Sequence, residues 1–213
     1  MILKKPLLDF SQDEKDILQE VMNIAFGQVA ADLAEIIDVM VLLSVPKVTL
    51  LLGKDFPSYL SDKLHLSPPF DIIEQSFSGK LNGIAFLVFP AGSGKKLVTM
   101  FDDYKEAPQG KELARLEKET LIEVGNILTG ACVGKLAEQL KEVAYYTSPR
   151  LVMGSSPTWE PPGNLIAKDS VVILVKTEFK FESNDVNGFL FLITNQESFS
   201  WLKQALNRYL EQF

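Results

Sequence analysis

Glu123-Val124-Gly125-Asn126-Ile127-Leu128-Thr129-Gly130 has a counterpart 103 residues upstream, Glu20-Val21-Met22-Asn23-Ile24-Ala25-Phe26-Gly27. Each copy reads Glu-x-x-Asn-Ile-x-x-Gly. A proline follows each asparagine after twenty-two intervening residues, Pro46 after Asn23 and Pro149 after Asn126. Glu and Asn three residues apart share one side of a helix and can converge on one ligand. The copies therefore raise two questions at once, what duplicated fold holds them and what chemistry they do.

Around the first copy, Ser11 to about Val39 reads as a helix. Ser11 and Glu14 make a capping box, and acidic residues crowd the first turn. Leu18, Val21, Met22, Ala25, Val29, Leu33 and Ile36 form its apolar face. Asp16, Glu20, Asn23 and Gly27 form a narrow stripe on the opposite side. Around the second copy, Lys111 to about Val143 reads the same way, with Leu113, Leu116, Leu121, Val124, Leu128 and Leu136 apolar.

The pattern after each helix also repeats. A strand from Val45 to Leu52 opens at Pro46, and Pro149-Arg150-Leu151-Val152-Met153 answers it. Loops follow, Lys54 to Pro69 with room for a short helix, and the proline-rich Ser155 to Lys168. Then come the strand pairs Phe70–Ser78 with Leu81–Phe89, and Ser170–Glu182 with Asn187–Thr194. Gly79-Lys80 or Asn82-Gly83 turns the first pair. Each half closes on a helix, Ser93–Asp103 and Glu197–Phe213.

The order predicts an α/β fold of the α+β kind, a helix-strand-strand-strand-helix unit used twice. The repeat runs over approximately 11–103 and 111–213 within one domain, 1–213. Each half alone would bury a marginal core, so the halves are expected to share one mostly antiparallel sheet. The two long motif helices should lie on one face of it.

Composition narrows the function. Of 213 residues 46% are hydrophobic and 23% charged, which suits a packed chain rather than a disordered one. A net charge of -7 argues against a nucleic-acid partner. The single cysteine, Cys132, excludes an internal disulfide, and the single histidine, His65, leaves no imidazole for each copy of the motif. No apolar region follows the N-terminal lysines, and the longest wholly apolar run, Ile84 to Phe89, is too short for membrane insertion. A cytoplasmic protein is expected. Gly92-Ser93-Gly94-Lys95-Lys96 lacks the spacing of a phosphate loop, and Trp159 reads as a loop anchor.

Asn is a mediocre helix former, and Gly27 and Gly130 each cost a helix interior about 1 kcal/mol against alanine. Close helix packing would explain one such set, but matched sets point to a site. Glu with Asn supplies no nucleophile and no near-neutral base. An amide can hold a water in line with an electrophile, and a carboxylate can fix a partner's cation. That pair suits hydrolysis of a phosphoryl group already activated on another protein.

These residues resemble the CheC/CheX/FliY family of chemotaxis phosphatases, whose motif is Asp/Ser-x3-Glu-x2-Asn-x22-Pro. The first copy matches throughout, at Asp16, Glu20, Asn23 and Pro46. The second matches at Glu123, Asn126 and Pro149, with Glu119 in the Asp/Ser position. Met22 stands where a glycine commonly precedes the asparagine. Two intact pairs are nearer the CheC branch than the single-site CheX branch.

The resemblance implies a hydrolase of two-component signalling that acts on phospho-aspartate of a CheY-like response regulator. Asn23 and Asn126 would orient water, and Glu20 and Glu123 would engage the receiver's lysine. The chain would hold no cofactor or metal of its own, Mg²⁺ arriving with the receiver. A CheD-like deamidase is implied as a second partner. The competing expectation is a non-catalytic receiver-binding or scaffold protein with the same fold.

Overall fold

The computed structural model describes residues 10–37, 40–56, 58–59, 70–101, 109–154, 171–181, 186–194 and 196–210. The loop readings over 60–69 and 155–170, with His65 and Trp159, lie outside the described residues. Helix α1 (Gln12–Ile37) leads to β1 (Val41–Leu43) and β2 (Lys47–Leu52), then β3 (Phe70–Ser78), β4 (Gly83–Pro90) and α2 (Ser93–Phe101). The second half repeats the order as α3 (Gly110–Gln139), β5 (Tyr145–Tyr146), β6 (Arg150–Gly154), β7 (Val171–Phe181), β8 (Val186–Thr194) and α4 (Gln196–Leu210).

Local chemistry sets these ends. The Ser11 N–H donates to Glu14 Oε2 at 2.7 Å and the Glu14 N–H to Ser11 Oγ at 3.1 Å, the reciprocal box that starts α1. Helix α3 stops earlier than its apolar pattern predicts. Lys141 takes a left-handed φ of 58°, which lets the Glu142 N–H reach back to the Ala137 carbonyl at 2.9 Å. The β3–β4 turn uses Gly79 at φ 151°, its N–H on Asn82 Oδ1 at 3.2 Å.

Among the described residues all the strands share one sheet, and every pairing in it is antiparallel. Its order is β1-β7-β8-β4-β3-β5, with β2 continuing β1 along β7 and β6 continuing β5 along β3. Strands β1 and β5 are additions to the sequence reading. Each extends an edge past the proline, because a broken strand can follow its long partner on both sides of a kink. The edges are exchanged between halves. The strands after α1 pair with β7 of the second half, and those after α3 pair with β3 of the first. At the centre β4 pairs with β8 so that Phe86 faces Phe191.

Alternation sorts the sheet's side chains. Ile73, Phe77, Ala85, Leu87, Ile173, Val175, Phe179 and Leu192 face the helices and pack with Leu18, Val21, Met22, Leu121, Val124 and Leu128. The opposite face gathers Ile72, Ile84, Phe86, Val172, Leu174 and Phe191 with Phe56. In the helical layer α1 packs on α3, with α2 against α3 and α4 against α1. The closing helices are thus exchanged as well.

Candidate functional site

The buried side of α1 holds Leu18, Val21, Met22, Ala25 and Val29; the side chains of Leu33 and Ile36 lie outside the described residues. Its other side exposes Asp16, Glu20 and Gly27, with Asn23 half-buried. On α3, Glu119, Glu123 and Asn126 are exposed and Gly130 half-buried. Pro46 is buried and Pro149 half-buried, each just ahead of a strand in the broken edge.

The motif helices run antiparallel. Lys135 Nζ meets Asp32 Oδ2 at 3.2 Å, and Gln139 Nε2 meets Gln28 Oε1 at 3.4 Å. Since α-helices rise about 1.5 Å per residue, Asn23 and Asn126 stand roughly 27 Å apart along the pair. That separation is too long for the two asparagines to converge on one ligand.

The glycines of the motif answer the packing alternative. A Cβ added at Gly27 or Gly130 would meet no atom within 4 Å. Neither glycine is required by a neighbour in the fold, and both leave open room beside the asparagine. The small residues further along are different: Ala137 is buried and Ala30, Ala34 and Gly134 are half-buried. On α3 that end of the stripe lies against β5, where a Cβ on Gly134 would stand 3.3 Å from the Tyr146 hydroxyl.

A third glycine separates the two copies. A Cβ on Gly125 would stand 2.5 Å from Ile73 Cγ2, so α3 lies directly on β3. Met22 takes this place in α1 and is fully buried. The consequence appears one residue on. Gln75, two residues along β3 from Ile73 and on the same face, donates from Nε2 to Asn126 Oδ1 at 2.9 Å. The same Nε2 donates to the Thr147 carbonyl at 2.9 Å. Gln75 is buried, and its Oε1 has no hydrogen-bond partner among the described residues, a cost of about 1–3 kcal/mol. Asn23 has no side-chain hydrogen bond among the described residues. Gln75 was not legible in the sequence, since it lies outside both motifs and reaches Asn126 only through sheet register.

The flanking acids are held alike. Gln12 Nε2 donates to Asp16 Oδ1 at 2.8 Å, and Arg115 NH1 donates to both oxygens of Glu119 at 2.8 and 2.9 Å. In both copies the residue four places upstream occupies the acid, which leaves Glu20 and Glu123 as the outward carboxylates. A shallow groove of about 390 Å³ adjoins Glu123, floored by Phe101, Leu116, Val124 and Ile127 and rimmed by Glu119. Cys132 is buried, and burial pushes its thiol well above the ordinary range, so no thiolate is available. Among the described residues no group of three or more His, Cys, Asp or Glu could hold a metal, and no helix is long and apolar enough to cross a membrane. The Gly92–Lys96 segment opens α2, with Ser93 Oγ donating to the Pro90 carbonyl at 2.7 Å and Gly94 packed on α3.

No family model matches the chain. The CheY-P phosphatase CheC of Bacillus subtilis (strain 168) is 21% identical over 202 residues, spanning 92% of this chain and 94% of that protein. FliY of Thermotoga maritima has a TM-score of 0.67 at 17% identity, covering 94% of this chain and 98% of its own. The FliM middle domain from H. pylori has a TM-score of 0.56 at 11% identity, covering 92% and 99%. The fold is thus one that FliY and the FliM middle domain also have, and the chain's resemblance to the CheC/CheX/FliY family extends to its architecture.

Proposed function

We propose that the protein is a phosphatase for the phospho-aspartate of a CheY-like response regulator. The observation that carries this reading is the exposure of Glu123 with Asn126, and of Glu20 beside half-buried Asn23, on helices whose other sides are buried. Similarity to the CheY-P phosphatase CheC along most of the chain supports it.

Each Asn would act on a water next to the receiver's phosphoryl group. An amide oxygen has two lone pairs. Asn126 Oδ1 gives one to Gln75 and keeps the other for a proton of the attacking water. Its Nδ2 is left to donate toward the phosphoryl oxygens. Water oxygen bonds to phosphorus, the bond to the aspartyl oxygen breaks, and phosphate leaves a free carboxylate with the excess proton passing to solvent. Glu123, like Glu20, would pair with the receiver's lysine, whose aliphatic stem fits the apolar groove. Mg²⁺ would be the receiver's, where it offsets the phosphoryl charge.

The second reading is a receiver-binding or scaffold protein, and it is favoured by likeness to the FliM middle domain. A decay assay separates the two. Purified protein should speed loss of phosphate from a CheY-like receiver in Mg²⁺, and Asn23→Ala with Asn126→Ala should return the rate to the receiver's own. Binding of the phosphorylated receiver with unchanged decay would instead establish the scaffold.

A further inference from the structure

We propose that Gln75 is the positioning residue of the Asn126 site, fixing which end of that amide faces the substrate. For its kinetic consequence the proposal rests on the phosphatase reading; its structural content does not.

The Thr147 carbonyl can only accept, so the Gln75 amide must turn its NH₂ toward it. The other hydrogen of that NH₂ then goes to Asn126, which must answer with Oδ1. A backbone carbonyl thereby dictates, through one buried glutamine, that Asn126 presents Nδ2 outward. Asn126 is otherwise exposed, and a free amide would turn about its last torsion and present either end.

The other half of the molecule serves as a control. Gly83 of β4 pairs with Phe77, and Gly188 of β8 pairs with Phe179. A Cβ on either glycine would strike its paired phenylalanine ring, so these positions are equivalent. Two residues upstream of each phenylalanine are Gln75 and Thr177. Thr177 Oγ1 donates to the Ser44 carbonyl at 2.6 Å, as Gln75 does to Thr147, at the same break in the edge strand. The bond to the kinked edge is therefore common to both halves and a threonine suffices for it. Only the glutamine adds the bond to the motif asparagine. It does so where Gly125 lets α3 settle on Ile73, and it accepts an unpartnered buried carbonyl oxygen in doing so.

Gln75→Thr tests this with a side chain the fold already uses at the equivalent position. It should keep the bond to Thr147 and lose the one to Asn126. The substrate is a CheY-like receiver phosphorylated with acetyl phosphate in Mg²⁺. In an Asn23→Ala background, Gln75→Thr is expected to lower kcat about tenfold or more with KM unchanged. Placed on Asn126→Ala instead, it should cost nothing further, the non-additivity of two residues acting as one. Unchanged kcat in the first background, or an equal loss in both, would overturn the proposal. The Asn126 side-chain amide signals in NMR, assigned by their loss in Asn126→Ala, give a readout that needs no activity. They should shift and narrow toward a freely rotating amide in Gln75→Thr. Signals unmoved by that substitution would overturn the brace. If the wild type does not accelerate decay at all, the phosphatase reading fails alone and the NMR result still decides for or against Gln75.

Discussion

Gly125 and Met22 occupy the same place in the two motifs and set the two sites apart. One lets a helix rest on a strand, while the other fills the space with a fully buried side chain. Gly125→Ala would gain about 1 kcal/mol of helix propensity, but overpacking against Ile73 costs about 1–3 kcal/mol. A net loss in urea unfolding is expected, and Ile73→Ala in the same chain should cost less than the sum of the two changes. Gly27 and Gly130 have open space instead. Gly27→Ala and Gly130→Ala should each raise stability by about 0.5–1 kcal/mol, measured the same way. Destabilisation there would contradict the open shelf. The sequence exposed Glu20, Asn23, Glu123 and Asn126 through their spacing, because i,i+3 periodicity is local. It favoured the first copy, whose Asp16 completes the motif, whereas the structure gives the second copy the brace. Gln75 could not be found that way, as its partners lie fifty-one and seventy-two residues distant.

The start of helix α1 was legible because it is written locally. Ser11, Glu14 and Lys203 now form one junction, with Lys203 Nζ on Glu14 Oε2 at 3.0 Å, so the cap also ties α4 to α1. Burial alone would raise the Glu14 pKa. The Ser11 N–H, Lys203 and the Ser11 hydroxyl outweigh it and hold the carboxyl below its usual value. A depressed carboxylate contributes stability that is present above its unfolded pKa and lost as pH falls through the folded one. Glu14→Gln should therefore cost about 1 kcal/mol at neutral pH, and the gap from wild type should close below about pH 4. An equal gap at both pH values in urea titrations would contradict this. Elements whose ends are set by tertiary pairing were less legible. Strands β1 and β5 are runs of three and two residues just past the expected helix ends, too short to show a period of their own, and it is pairing with β7 and β3 that makes them strands.

At the scale of the molecule, exchange of edge strands and closing helices makes each half incomplete alone. Residues 1–108 separate β1 and β2 from their partner β7, and residues 109–213 separate β5 and β6 from β3. Neither fragment should show cooperative unfolding by circular dichroism, and an equimolar mixture should regain it. Independent folding of either fragment would contradict a shared core. The duplicated order was readable because both copies keep the same spacing, but exchange between copies leaves no mark in sequence. That exchange brings α1 and α3 together as an antiparallel pair with the asparagines at separate ends. The most direct test of the account is the first-order decay constant of a phosphorylated CheY-like receiver with wild type, Asn23→Ala, Asn126→Ala and the double variant. Wild type should accelerate decay, each single variant should lose part of that acceleration with the larger loss at Asn126, and the double variant should retain none. Decay that the double variant accelerates as well as wild type would contradict it.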